Sequence, residues 1–416
     1  MTNSSVHESP LQRSGFHYSY VIVAAAFITA LADEGLLFSF GVFFKPLLEE
    51  FGWTRSMTSG AFTLWAILHI PGVFVAGKLT DRFGSKPLLT LCGLFLGVGH
   101  LLMSQTTTVW HLYFFYGVII SIGQSLYWIP LIAVIPQWFV KRRGLMMGIV
   151  SAGIGAGQII FPPLANWLIH TYGWRVSYAV VGSLSMVVIV GCAQLLKPPP
   201  TRTTLSNPGE EDRVTSASAD ASGDLSLSEA LRTRHFWMVC MVFFSILFAL
   251  GIVLVHIVIH AIGLGMSPAG AANILAVIGV MGIIGRVSLG RLADRIGNRS
   301  VFVISSILML IAFIWIALTR EPWTIYAFAV IFGVAYSTLE ALHSPMIAEL
   351  FGLRALGTLS GATLAVGLIG LGIGPTLAGY LFDVRGSYRI AFLICAVIAL
   401  ASVLSAALLP TNRGRA

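Results

Sequence analysis

Apolar residues in this 416-residue chain fall into twelve long continuous runs, broken by short clusters of charge, proline and glycine. A helix needs roughly 20 predominantly apolar residues to cross a bilayer. Read that way, the runs predict spanning helices at 18–44, 57–79, 88–106, 109–137, 144–169, 175–196, 235–261, 268–290, 300–319, 322–348, 355–382 and 388–409. Several are long enough to require tilt or extension beyond the hydrocarbon. Continuous runs, without an in-out alternation, exclude a spanning β-barrel.

One stretch departs from this rhythm. Residues 197–234 begin Lys197-Pro198-Pro199-Pro200 and continue through Ser, Thr, Asp and Glu, with charges that nearly cancel. This predicts a solvated linker between two six-helix bundles. The expected organisation is a tail at 1–17, a bundle at 18–196, the linker at 197–234, a second bundle at 235–409 and a tail at 410–416. Basic residues set the orientation, because short cytoplasmic loops retain Lys and Arg. With the N-terminus placed inside, eighteen of the 25 Lys and Arg residues fall on the inner side and six on the outer, while Arg286 lies within a span. Both termini are therefore expected in the cytoplasm, with the protein in the inner cell membrane. Residues 1–17 are polar, and no cleavable signal is expected.

Composition sharpens the class. Only 10% of residues are charged and 56% are hydrophobic, against about 25% charged in soluble domains. Too few charges remain to clothe a soluble enzyme or a disordered chain. The net charge of +8 resides in short loops between spans, which argues against a nucleic-acid partner. Cys92, Cys192, Cys240 and Cys395 all lie in apolar runs without CxxC spacing, so neither disulfides nor a metal site is expected.

The two halves carry the same motif between their second and third spans. Gly77-Lys78-Leu79-Thr80-Asp81-Arg82-Phe83-Gly84-Ser85-Lys86 is matched by Gly290-Arg291-Leu292-Ala293-Asp294-Arg295-Ile296-Gly297-Asn298-Arg299. Gly77 and Gly290 suit close helix approach. The Asp81-Arg82 and Asp294-Arg295 pairs suit either a latch that holds one face shut or a topological anchor. This repeat resembles the cytoplasmic-loop motif of the major facilitator superfamily. The resemblance implies an all-α fold of two six-helix bundles around a cavity lined by the first, fourth, seventh and tenth spans, working by alternating access.

A narrower resemblance lies in Ser39-Phe40-Gly41-Val42-Phe43-Phe44-Lys45-Pro46-Leu47, in Trp138-Phe139-Val140-Lys141-Arg142-Arg143-Gly144-Leu145-Met146-Met147-Gly148 and in Tyr172-Gly173-Trp174-Arg175. These are similar to the monocarboxylate porter branch. That branch implies transport of lactate, pyruvate or related anions, usually with a proton, and an eighth-span arginine that binds the carboxylate. Arg286 falls at that position. Where mammalian porters place an aspartate four residues earlier, this chain has Gly282; where they place a first-span lysine, it has Phe38.

Charges inside hydrocarbon are costly and mark function or pairing. Arg286 shares a helical face with Gly279 and Gly282, small residues that leave room for a substrate, and its guanidinium fork matches a carboxylate. The alternative role is structural, paired with Asp33, Glu34 or Glu340. Asp33 and Glu34 sit mid-span and point about 100° apart, so at most one faces a cavity squarely. Either is a proton carrier or half of an ion pair. Glu340 shares a stripe with Tyr336, with His343 nearby. It is a partner for Arg286 in the absence of substrate, a second proton site, or a structural acid. Gln124 and Tyr127 offer hydrogen bonds for a substrate oxygen, or aromatic packing in the case of Tyr127. His256 and His260 are expected to face water at the cavity mouth, and His69 and His100 to be buried. Asn273 lies near the outer end of its span. Gly153-Ile154-Gly155-Ala156-Gly157 reads as helix packing. No Walker motif is present.

The expectation is a monomeric secondary transporter in the lipid bilayer, not an enzyme, carrying a small organic anion with a proton and needing no cofactor or metal. Arg286, Tyr127, Gln124 and Tyr336 would bind substrate; Asp33, Glu34 or Glu340 would carry the proton. The rivals are a carrier of larger organic anions or amphipathic compounds, and a membrane sensor that does not transport.

Overall fold

The computed structural model describes residues 10–139, 143–197, 225–352 and 355–410. Lys141, Arg142 and Arg354, most of the linker, and much of both tails lie outside the described residues. Among the described residues, twelve helices are long and apolar enough to cross a membrane: Tyr18–Phe51, Arg55–Phe83, Ser85–Met103, Val109–Ile135, Leu145–Tyr172, Trp174–Leu195, Arg234–Gly263, Pro268–Ile296, Asn298–Leu318, Thr324–Ala341, Leu356–Arg385 and Arg389–Ala407. They are called the first to twelfth spans below. No strand occurs among the described residues.

The ends of these helices follow local chemistry. Thr54, Ser267 and Thr233 cap the second, eighth and seventh spans by accepting a backbone N–H from Met57, Gly270 and Phe236. Pro268 occupies the first turn of the eighth, where a missing N–H costs nothing. The later glycine of each repeated motif makes the turn into the next helix: Gly84 has φ 79° and Gly297 φ 89°. Only glycine adopts such a backbone without strain.

Packing repeats between the halves. The first span lies on the fifth and the third on the sixth; correspondingly the seventh lies on the eleventh and the ninth on the twelfth. Among the described residues the halves meet chiefly where the first span packs on the seventh, the second on the eleventh and the fifth on the eighth. The Gly153–Gly157 run does pack helices. Gly153 and Gly157 face the backbone of the first span at Phe27, Leu31 and Gly35, while Gly155 faces Ile283 and Gly279 of the eighth. A side chain at Gly157 would meet Gly35 N at 2.8 Å, and backbone cannot yield as a side chain tip can. Gly157→Val is therefore expected to cost about 1–3 kcal/mol or more, seen as a lower unfolding temperature in detergent.

Two predicted spans are interrupted. The expected helix at 109–137 is wound wide, as π-helix, over Tyr113–Ile120, and breaks at Leu126–Tyr127 before resuming at Trp128–Trp138. The expected helix at 322–348 breaks at Leu342 and resumes at His343–Phe351. In each case proline is the third residue after the break, Pro130 and Pro345. Proline has no N–H for the carbonyl four residues earlier, and its ring clashes there. Hydropathy registers neither effect, so the runs read as continuous.

Candidate functional site

Arg286 sits toward the end of the eighth span. The glycines beside it do not leave room for a ligand, as the spacing suggested. A side chain at Gly279 would meet Gln158 of the fifth span, and side chains at Gly282 and Gly285 would meet Ser337 and Val334 of the tenth. Ser337 Oγ donates to the Gly282 carbonyl at 2.9 Å. The glycines thus draw the tenth span against the eighth and set Glu340 opposite Arg286. Arg286 Nη2 donates to Glu340 Oε2 at 2.5 Å and Nη1 reaches the Ser151 carbonyl of the fifth span at 3.4 Å. Its Nε has no partner among the described residues. Of the roles left open for Glu340, this geometry displays the pairing with Arg286.

The pair lies on the wall of a cavity of about 450 Å³ lined by Trp128, Ser151, Ile154, Ile283, Arg286 and Glu340, among others. The cavity lies between the halves near the start of the fifth span and the end of the eighth, so it opens on the face that carries the termini. The Arg286 side chain is 21% exposed and that of Glu340 41%.

Asp33 and Glu34 part company, as adjacent helical positions must. Asp33 is fully buried within the first half. Gln124 Nε2 donates to Asp33 Oδ2 at 3.0 Å, while Oδ1 has no partner among the described residues. Glu34 is half-buried and within electrostatic reach of Glu340 and Arg286. Three carboxylates were proposed as proton sites from sequence; the fold places two of them around one guanidinium and isolates the third.

The other expected binding residues stand back from the cavity wall. Gln124 is committed to Asp33. Tyr127 is buried at the break in the fourth span, and its hydroxyl has no partner among the described residues. Tyr336 is buried and accepts a hydrogen bond from Gln158 Nε2 at 2.8 Å, a contact between the two halves. Gln158 was missed, although it is the amide that ends the Gly153–Gly157 run.

At the opposite face the two halves are bolted together. Asp383, in the last turn of the eleventh span, accepts from the Arg55 and Ser56 backbone N–H groups at 3.0 and 2.9 Å and from Ser56 Oγ at 2.6 Å. The Arg55 guanidinium lies 3.4 Å from the Phe382 ring centroid, a cation–π contact. Thr63 Oγ1 donates to the Gly372 carbonyl at 2.5 Å and lies 2.6 Å from Thr376 Oγ1. His256 belongs to this closure and does not face water, whereas His260 is half-buried and lines a surface pocket with Arg320, Ser387 and Arg389. His256 is fully buried, bonded to Pro375 O at 2.8 Å and to Tyr388 Oη at 2.9 Å. His260 meets the Tyr388 and Phe392 rings edge-on. Burial raises the Tyr388 phenol above its ordinary value, so its hydroxyl keeps its hydrogen. No sequence signal pairs Arg55 with Asp383, which are hundreds of residues apart at loop ends. His100 is buried as expected, bonded to the Leu96 carbonyl, whereas His69 is half-buried and stacks on Trp65.

The repeated motif occupies the termini-bearing face. Asp81, Arg82, Asp294 and Arg295 are all exposed, and none forms an ion pair among the described residues. Gly77 and Gly290 face open space, so the close helix approach expected there is absent in this conformation. An unlatched motif accompanies an open cavity on the same face.

Two six-helix bundles that meet at one face and part around a paired arginine at the other have the architecture of a membrane transporter. The Major Facilitator Superfamily model matches residues 22–296 and 262–416, and the chain belongs to that superfamily. It is related at low identity to monocarboxylate transporters. It is 28% identical to monocarboxylate transporter 13 of Bos taurus over 394 residues, covering 92% of this chain and 87% of that protein. It is 24% identical to monocarboxylate transporter 7 of Homo sapiens, covering 95% and 87%. Among solved structures it resembles a bacterial homologue of the human lysosomal transporter Spinster, captured inward-facing and unoccupied. The TM-score is 0.71 at 16% identity, over 96% of this chain and 98% of that one.

Proposed function

We propose that this protein carries monocarboxylates across the cytoplasmic membrane together with a proton, with Arg286 as the carboxylate clamp. The observation that carries the reading is the forked guanidinium on the cavity wall, held by one acid, Glu340, that a substrate carboxylate can replace. Charge supports coupling. The Arg286–Glu340 pair is neutral as it stands, and an incoming anion would add an uncompensated negative charge in a weakly screened site. Protonation of Glu340 removes its claim on the guanidinium and keeps the site's charge constant when substrate enters. Asp33 and Glu34 are further places for a proton. With the termini in the cytoplasm, as the loop charges indicate, the cavity drawn here is inward-open and the Arg55–Asp383 closure is the external gate. The motif carrying Asp81, Arg82, Asp294 and Arg295 would latch the inner face when that face closes.

Uptake of labelled lactate into proteoliposomes, with and without an inward proton gradient, tests the reading. Accumulation above equilibrium only with the gradient is expected. Equal uptake in both conditions would remove proton coupling, and no uptake would remove lactate.

A larger substrate is favoured by one observation. The cavity holds about 450 Å³, and most of its lining is apolar, with Trp128, Ile154, Ile283 and Val287 close to Arg286. An unbranched tail lying along these side chains would gain about 0.8 kcal/mol per buried methylene. A series of straight-chain acids competing for binding is therefore expected to improve roughly three- to fourfold per added carbon until the cavity is filled. A flat series would restrict the substrate to lactate and its like.

A further inference from the structure

The closure opposite the termini contains a hydrogen-bond relay whose direction is forced. Arg55 Nη1 donates to Tyr388 Oη at 2.5 Å. Tyr388 Oη lies 2.9 Å from His256 Nδ1, and His256 Nε2 lies 2.8 Å from the Pro375 carbonyl. A carbonyl only accepts, so Nε2 carries the ring hydrogen. Tyr388 accepts from Arg55 and keeps its own hydrogen, which it gives to Nδ1. His256 is thereby neutral, in one tautomer, with both nitrogens used. The relay crosses from the second span, in one half, to the seventh and eleventh spans in the other.

A second proton on Nδ1 breaks this arrangement. Tyr388 Oη would then face two donors, and its hydrogen would be turned out into a seam of apolar rings. The groups facing His256 offer no relief. Arg55, from the second span, is itself cationic. The first span presents the Phe44 ring, 5.2 Å away. Asp383, from the eleventh span, already takes three donors from the start of the second. His260, one turn along the seventh span, has a buried Nε2 without a partner and brings no negative charge.

We infer that His256 is a proton-binding site of the transport cycle, filled from the face opposite the termini when the seam parts, and that the seam closes only over neutral His256. A proton taken up on Nδ1 holds that face open until it leaves. This rests on the alternating-access reading above but on no particular substrate, and it assigns a proton site apart from Asp33, Glu34 and Glu340.

The test uses the whole protein in lipid nanodiscs without substrate. Spin labels at Gln105→Cys and Glu321→Cys, in exposed loops of the two halves on that face, report its opening. In the parent, the long-distance population is expected to grow as pH falls from about 8 to 5, the range in which histidine titrates. One proton permits at most about a tenfold change per pH unit. His256→Gln is expected to abolish the response and His260→Gln to retain it. Should His256→Gln not yield monodisperse protein, His256→Asn is read in the same way. A parent population that ignores pH, a response that survives loss of His256, or one lost with His260 alone would overturn the inference. Because no carboxylate is present, these results are independent of whether lactate is carried.

Discussion

Arg286→Lys is expected to weaken monocarboxylate binding about 10–100-fold while leaving the protein folded. A hydrogen bond to a charged group contributes about 1.5–3 kcal/mol, and lysine replaces a two-pronged planar donor with a single point charge. The ammonium still neutralises Glu340, so the fold loses little. Removing the charge altogether is a different experiment. Arg286→Ala leaves Glu340, whose side chain is 41% exposed, without a counter-charge, at a cost between the roughly 1 kcal/mol of a solvent-exposed pair and the roughly 3–5 kcal/mol of a fully buried one. That loss would mimic a binding defect through misfolding. The decisive variant replaces both partners, Arg286→Met with Glu340→Met. Apolar replacement of both members of an ion pair is often neutral for stability even where the pair is fully buried. If Arg286 is only a structural partner, this double variant should fold and bind the acid as the parent does. If it is the clamp, the double variant should fold at a similar temperature and bind no carboxylate. Binding of labelled acid, read beside a thermal unfolding curve, separates the two outcomes.

The sequence carried most of the architecture because hydrocarbon imposes a simple rule. Every spanning segment must be long, apolar and helical, so twelve runs became twelve helices. The repeated G-x-L-x-D-R-x-G motif divided them into matching halves, and its later glycine proved to be the turn residue at Gly84 and Gly297. The breaks at Leu126 and Leu342 stayed hidden because Pro130 and Pro345 act on backbone hydrogen bonds, not on hydropathy. The site was legible only in part. Arg286 and Glu340 stand out because each is a charge in an apolar run, and their meeting at 2.5 Å follows from the shared depth of the eighth and tenth spans. Which side of a helix faces the cavity is set by packing with other spans, to which one-dimensional spacing is blind. Gly279 and Gly282 were therefore read as space for a ligand when they are contact surfaces. Gln124, Tyr127 and Tyr336 were likewise placed on the cavity wall when they lie behind it. His256 was misplaced for the same reason: a polar residue near a span end looks exposed until Tyr388 and Pro375, from the other end of the chain, are folded over it.

Glu340→Gln should separate transport from its driving force. The amide keeps the size of the acid and can still accept from Arg286, but it neither binds nor releases a proton. In the parent, Glu340 competes with substrate for Arg286 only as a carboxylate, so a proton on Glu340 and a substrate on Arg286 favour each other. Apparent affinity is expected to fall as pH rises. In Glu340→Gln the competitor is neutral at every pH, and the affinity profile should be flat. The larger effect is on accumulation. One proton moved per substrate supports about a tenfold concentration ratio for each unit of pH gradient, because a unit is 1.36 kcal/mol. The variant should still exchange labelled for unlabelled acid, yet take up no more than the equilibrium amount, whatever the gradient. Asp33→Asn and Glu34→Gln, assayed beside it, locate the proton if it is elsewhere. Asp33 has an unpartnered oxygen but no contact with Arg286, so its loss should leave the pH profile of substrate affinity unchanged. Glu34 lies within electrostatic reach of Arg286, so its removal should shift affinity while preserving accumulation. Full gradient-driven accumulation by Glu340→Gln would show that the carboxylate released from Arg286 is not the one that carries the proton.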